Sequence, residues 1–79
     1  MNVMITKHEV NSAGKLVVLS CGKTSAEIWF AKDHLFVCCQ NASHRAWRGI
    51  GKRFDTVAQA MDAYKSSAMK TMIQTAAAI

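Results

Sequence analysis

Residues 44–53 form the segment of this sequence that is best suited to bind an anionic partner. The segment contains four positive charges, a tryptophan and two glycines, and it has no acidic residue. Arginine forms charge-assisted hydrogen bonds with phosphates, and an indole ring can stack on a base. The segment therefore predicts nucleic-acid contact, and the residues assigned to this contact are Arg45, Trp47, Arg48, Lys52 and Arg53.

Other interpretations of this segment are open. Trp47 could fill the end of a hydrophobic core while the basic side chains are solvated. The same surface could bind a protein, because arginine and tryptophan are favoured in interface hot spots. The glycines at positions 49 and 51 precede a predicted helix, but their spacing matches neither the Walker pattern nor the dinucleotide fingerprint. They predict a turn into the helix.

Catalytic and metal-binding groups are scattered along the sequence. Cys38 and Cys39 are adjacent, and neighbouring residues of a strand point to opposite faces, so they cannot easily share a metal ion. The three histidines have no paired spacing, and Cys21, in a turn beside Lys23, has no identifiable partner base. We therefore predict no enzymatic activity, no metal site and no cofactor.

Length and composition predict a single domain over residues 1–79. The chain is 51% hydrophobic and has no proline and no low-complexity linker. The N-terminus lacks the apolar core of a signal peptide, and no apolar run approaches the roughly 20 residues of a membrane span. We therefore expect a cytoplasmic protein with three free thiols and no membrane partner. The net charge of +5 favours an anionic partner and excludes a DNA mimic, which must be strongly acidic.

The patterns over residues 1–53 predict an antiparallel sheet. Strands are expected over residues 2–10, 15–20, 26–32 and 35–40, with a fifth if residues 45–50 also form one. The two residues 33–34 could close a hairpin between the third and fourth strands. In that register Phe30 faces Val37 and Trp29 faces Cys38.

A helix is predicted over residues 55–75, with a frayed tail at 76–79. Thr56 and Gln59 fit a capping box, and Asp55 is a competing cap. Apolar residues then recur at three- and four-residue steps, in a stripe of Val57, Ala60, Met61, Tyr64, Ala68 and Met72. Met69 lies off this stripe and is the methionine expected to be exposed.

The expected fold class is therefore α+β, an antiparallel sheet of four or five strands followed by one C-terminal helix packed on one face. A single helix leaves the other face of the sheet uncovered. We assign to the helix side Ile28, Phe30, Val37 and Cys39. The other side is expected to carry Trp29, Phe36, Cys38, Val17 and Leu19. Apolar area of that size normally requires a covering partner, so Trp29 and Phe36 join the candidate site.

Residues 54–64 contain Phe54-Asp55-Thr56, then Ala60, then Ala63-Tyr64. This stretch resembles the strand-to-helix junction of AP2-type DNA-binding domains, in which a three-stranded sheet reads DNA and a helix packs behind it. The basic, tryptophan-rich first two strands of that family are not evident in residues 1–32. The resemblance implies DNA contact by the sheet, and we assign no family from it.

These observations predict a small non-enzymatic binding protein. Its expected partner is nucleic acid or a nucleic-acid-containing protein complex, bound through the basic and aromatic surface. The alternative is an inhibitor of the kind that phages and mobile elements encode against host defence, an anti-CRISPR-like protein that binds a protein target. A homodimer whose open sheet faces pair is a third interpretation.

Overall fold

A computed structural model describes residues 2–41 and 51–79 of the chain. Within these ranges the strands come first: β1 (Met4–Asn11), β2 (Gly14–Cys21), β3 (Thr24–Phe30), β4 (Leu35–Asn41) and β5 (Lys52–Phe54). Two helices follow, α1 (Val57–Ala63) and α2 (Ser67–Ala78). The strands form one antiparallel sheet in the order β1-β2-β3-β4-β5. The predicted α+β fold class, an antiparallel sheet followed by C-terminal helical structure, is confirmed.

The β1–β2 hairpin depends on Asn11 and Gly14. The Oδ1 atom of Asn11 accepts hydrogen bonds from the backbone N–H groups of Ala13, at 2.8 Å, and Gly14, at 3.2 Å. Such side-chain bonds to the following backbone stabilise a turn. Gly14 has a φ of 150°, and a Cβ atom there would lie 2.1 Å from the carbonyl oxygen of Phe30. Only glycine therefore fits at this position.

The connection between β3 and β4 is longer than the sequence predicts. Trp29 pairs with Phe36 and Phe30 with Leu35, so residues 31–34 form the connection. The N–H group of Ala31 closes it by donating to the carbonyl of His34 at 2.9 Å. The predicted register, with Phe30 opposite Val37, is wrong by two positions. A shift of two residues keeps every side chain on its predicted face, because the side-chain period of a strand is two.

The two faces of β2 are assigned differently from the prediction. Val17 and Leu19 are fully buried and pair with Ile28 and Ala26, which lie on the helix side of β3. The prediction that placed Val17 and Leu19 on the uncovered face is wrong. Four consecutive apolar residues, 16–19, have no alternation that could distinguish one face from the other.

The start of α1 follows the capping signal in the sequence. Thr56 is the N-cap residue, and its Oγ1 atom accepts the N–H of Gln59 at 3.1 Å. The Oε1 atom of Gln59 accepts the N–H of Asp55 at 3.1 Å, so Asp55 contributes its backbone and is not the cap. Satisfying these backbone donors fixes the point at which the chain leaves β5 and becomes helical.

The helical region is interrupted where the sequence predicts one helix over 55–75. Tyr64 is in an extended conformation and ends α1. Ser66 then caps α2, because its hydroxyl accepts the N–H of Met69 at 3.3 Å. The carbonyl of Met61 accepts bonds from the N–H of Tyr64, at 3.3 Å, and from the Nζ atom of Lys70, at 2.7 Å. Lys70 thus joins the end of α1 to the start of α2.

The interruption changes which side chains α2 buries. Its buried residues are Met69, Met72, Ile73 and Ala76, and the helix packs on β2 and β3. The prediction that Met69 is exposed is wrong, because the break at residues 64–66 resets the helical phase between the two halves of the predicted stripe. The helix α2 extends to Ala78, three residues beyond the predicted helix end at residue 75.

Lys15 stabilises the last turn of α2 from the sheet. Its Nζ atom donates to the carbonyl of Ala76 at 2.8 Å and lies 4.5 Å from the centre of the Phe30 ring. A cation at the C-terminal end of a helix interacts favourably with the helix dipole. The end of α2 has no capping signal in the sequence. Lys15, which is distant in the sequence, instead donates to the carbonyl group of Ala76.

The strand expected over residues 45–50 lies outside the described residues. The strand β5 consists of Lys52–Phe54, and it pairs with residues 35–37 of β4. From Phe54 the chain passes through Asp55 and Thr56 into α1. β5 is short and forms one edge of the sheet, and β1 forms the other.

Candidate functional site

The candidate site lies on the face of the sheet opposite the helices, here called the open face. A row of paired residues crosses it, with Leu16 on β2, Trp29 on β3, Phe36 on β4 and Arg53 on β5. Facing residues of neighbouring strands have Cβ atoms about 5 Å apart. The register therefore brings together Trp29, Phe36 and Arg53, which the sequence analysis assigned to the candidate site for separate reasons.

The aromatic side chains of this row are accessible. Phe36 is 37% exposed, and Trp29 is partly exposed, as are its neighbours Leu16 and Val18. The helices pack against the opposite face, whose residues form the core. Within residues 2–41 and 51–79, no helix covers the open face.

His34 extends the aromatic surface along β4. Its ring lies 5.2 Å from the ring of Phe36 at an interplanar angle of 85°, an edge-to-face contact. The Nδ1 atom of His34 lies 2.7 Å from the Oδ1 atom of Asp33, and this hydrogen bond holds the pKa of the Asp33 carboxyl below its ordinary value. Sequence reasoning placed His34 in a tight turn and missed it. The two-residue spacing between His34 and Phe36 was the available signal, since such residues share a face.

The edge strand β5 carries two exposed cations. Arg53 belongs to the open face, because it pairs with Phe36, whereas Lys52 pairs with Val37 and belongs to the helix side. The Nε atom of Arg53 lies 3.8 Å from a carboxylate oxygen of Asp55, and both side chains are mostly exposed. An ion pair this exposed is weak, so Arg53 can exchange it for an anionic ligand.

The other predicted site residues, Arg45, Trp47 and Arg48, lie outside the described residues. Of the predicted set, the structure therefore locates Trp29, Phe36, Lys52 and Arg53.

The charges of the open face are distributed unevenly. A second row runs through Lys7, Val18, Glu27 and Cys38, and it lies beside the row that contains Trp29. The pKa of the Cys38 thiol is raised, mainly because burial disfavours the thiolate and secondarily because the carboxylate of Glu27 repels it. Positive charge on this face is thus located near the sheet edges, at Arg53 and at Lys7, which lies 3.7 Å from the carboxylate of Glu9 on the same face, and Glu27 is the charged residue nearer the centre.

The described residues contain no group of three side chains suited to hold a metal ion. Cys38 and Cys39 pair with Glu27 and Ala26, so they point to opposite faces of the sheet. Cys21, Cys38 and Cys39 are free thiols. Burial raises the pKa of Cys39, as it does for Cys38.

In the described part of the chain, neither helix has the length and apolar character needed to cross a membrane. Comparison of the chain with models of protein families, with curated proteins and with solved structures finds no match.

Proposed function

We propose that this protein binds single-stranded nucleic acid on the open face, without catalysing a reaction. The observation that supports this proposal most directly is the register that aligns Trp29, Phe36 and Arg53 across three neighbouring strands. Bases would stack on the aromatic side chains, and phosphates would contact the cations of the β5 edge.

The stacking part of the proposal follows from the shape and composition of the face. Aromatic residues on an uncovered sheet are a recurrent platform for unpaired bases, because every base has a flat apolar surface. A stacked base contributes about 1–3 kcal/mol, with little dependence on its identity. Trp29 and Phe36 are cross-strand neighbours, so successive bases of one strand could occupy them. A base pair inside a duplex does not offer these flat surfaces, and single strands are therefore favoured.

The electrostatic part of the proposal follows from the position of the charges. The chain carries a net charge of +5, and Lys52 and Arg53 are both exposed on β5. Arg45 and Arg48 shortly precede this strand in the sequence and raise the density of positive charge in this part of the sequence. Glu27 on the open face disfavours a phosphate near the centre. The backbone of the ligand is therefore expected along the β5 edge.

The test is the binding of labelled single-stranded DNA and RNA oligonucleotides, measured by fluorescence anisotropy over a range of salt concentrations. We expect Phe36→Ala to lower the affinity by about tenfold, since it removes one stacking surface. Val10→Ala is the control, because Val10 is exposed on β1 and pairs with Lys15, whose side chain lies on the helix side.

A charge substitution tests the role of Arg53 at the phosphates. Arg53→Glu is expected to weaken binding and to make it less sensitive to salt. The slope of log affinity against log salt should fall by about 0.7 for each phosphate of a single strand that the arginine neutralises in the original chain. Lys65→Glu makes the same change in net charge at an exposed position between the helices and should lower the affinity less. Absence of binding to every oligonucleotide at low salt would exclude the proposal.

The inhibitor interpretation predicts a different result. A protein that acts by protein–protein binding should retain a stoichiometric protein partner after nuclease treatment, and Phe36→Ala should release that partner. Retention of this kind, together with no affinity for oligonucleotides, would replace the nucleic-acid proposal.

A further inference from the structure

The edge strand β1 differs from the rest of the sheet because all eight of its residues are exposed. It pairs only with β2, and the helices pack against β2, β3 and β5. Its apolar side chains are far from buried, with exposed fractions of 65% for Met4, 41% for Ile5 and 70% for Val10. Among the described residues, none pairs with the outer edge of β1.

An edge strand of this length can accept another strand. Every second residue of an edge strand points its N–H and C=O groups away from the sheet, where they can form a new ladder. At the opposite edge, β5 has only three residues. A strand that extends this sheet is therefore expected at β1.

The charges of β1 are complementary to a second copy of the same strand. Lys7 and Glu9 pair with Val18 and Leu16, so both lie on the open face, on either side of His8. Within one chain the Nζ atom of Lys7 is 3.7 Å from a carboxylate oxygen of Glu9. An antiparallel copy related by a two-fold axis would present the same pair in the reverse order.

This symmetry restricts the register. In a two-fold antiparallel pair, one residue faces its own equivalent at the axis, and its neighbours face each other in reverse order. An axis at Lys7 places two lysines opposite each other, and an axis at Glu9 places two glutamates opposite each other, which is unfavourable. An axis at His8 places each Lys7 opposite the partner's Glu9. That register forms a ring of four alternating charges.

We propose that the chain forms a weak homodimer through antiparallel pairing of β1 with β1, centred on His8. The open faces of the two sheets would become continuous, because an axis perpendicular to the sheet preserves its faces. The irregularity between Ile5 and Lys7 makes Lys7 the first regular residue, so a ladder centred on His8 is regular over residues 7–9 of each strand. So short an interface belongs to the small, transient class.

The test uses sedimentation velocity on nuclease-treated protein over concentrations from micromolar to millimolar. The original chain should show a concentration-dependent dimer. Lys7→Glu and Glu9→Lys should each raise the dissociation constant by at least about tenfold, because each converts two attractive pairs into two repulsive ones. Lys23→Glu changes the net charge by the same amount as Lys7→Glu, at an exposed position in the β2–β3 turn, and is therefore the control for net charge.

Mixing the two variants gives the decisive result. In the mixed dimer a chain with glutamate at both positions faces a chain with lysine at both positions, so both cross-strand charge pairs are attractive, and the like charges within each chain are present in the separate monomers as well. The 1:1 mixture should therefore dimerise at least as well as the original chain, while each variant alone stays mainly monomeric. Dimerisation of both single variants as strong as that of the original chain, or no gain on mixing, would overturn the proposal. So would a dimer that Phe36→Ala abolishes, because that result indicates pairing of the open faces. Oligonucleotide binding by a chain that stays monomeric throughout would overturn only the dimer.

Discussion

The two faces of the sheet are made of similar side chains and have different surroundings. On the helix side Val17, Leu19 and Ile28 are fully buried, whereas on the open face Leu16 and Val18, from the same strand as the first two, are partly exposed. Hydrophobicity alone does not separate these groups. What separates them is the position of α2, which packs on one face of β2 and β3. One face therefore provides the stability of the fold, and the other is accessible to solvent.

The adjacent residues Val17 and Val18 give the largest expected contrast between the faces. Val17→Ala leaves a cavity in the core and should lower the free energy of unfolding by about 2–3 kcal/mol. Val18→Ala removes the same atoms from the open face and should cost less than about 1 kcal/mol, because its site is already partly hydrated. Urea unfolding followed by circular dichroism measures both. Equal losses would show that the open face is covered in solution.

The contact of Lys15 with the helix is the next effect in size. Lys15→Met keeps an apolar stem but loses the bond to the Ala76 carbonyl and the charge near the Phe30 ring. We expect a loss of about 1 kcal/mol in the free energy of unfolding. Faster amide exchange should be confined to the last turn of α2. Lys32→Met, at an exposed position in the β3–β4 connection, is the control and should change neither measurement.

The smallest expected effect is a loss of stability at alkaline pH. The pKa of Cys38, on the open face, and the pKa of Cys39, on the helix side, are both raised by burial. The folded chain therefore keeps protons that the unfolded chain releases above the ordinary thiol pKa of roughly 8.5. Unfolding releases protons in that range, so the free energy of unfolding must fall as the pH rises.

Single serine variants assign this effect to one face or the other. Cys38→Ser and Cys39→Ser should each make the alkaline decline in the free energy of unfolding less steep. Tyr64→Phe should do the same at higher pH, because burial and then the neighbouring thiols raise the pKa of Tyr64. An unchanged slope in all three variants would contradict the assignment of the decline to these groups.

The elements with local signals were predicted well. The capping box at Thr56 and Gln59 marks the start of α1, and the first hairpin turns in the predicted gap between residues 10 and 15, where Asn11 accepts bonds from Ala13 and Gly14. In each case the residue that carries the signal forms its bond within four positions. The break between the helices was missed, although Ser66 is a good N-cap, because the apolar spacing continued through it and a capping serine also resembles a polar surface residue.

The candidate site was predicted residue by residue and not as a group. Trp29 and Phe36 were selected because their face was expected to be uncovered, and Arg53 because its segment is basic. The sequence did not predict that these three residues are cross-strand neighbours, because the predicted register placed Trp29 opposite Cys38. The four-residue connection at 31–34 brings Phe36 opposite Trp29, and β5 brings Arg53 beside Phe36.

Local patterns alone were enough to predict the α+β class, the alternation of side chains along β3 and β4, the helix start and the basic character of the chain. These properties follow from periodicity, capping chemistry and charge, which act over a few residues or over the whole composition. Three other features emerged only from the packed fold: which face of β2 is buried, where the helix breaks and which residues meet on the open face. They depend on how α2 packs against the sheet and on the register between strands. An apolar run does not show which of its faces is buried, and the alternation of a strand does not show which residue of the next strand it pairs with. The sequence pattern therefore determines neither the packing of α2 nor the register between strands.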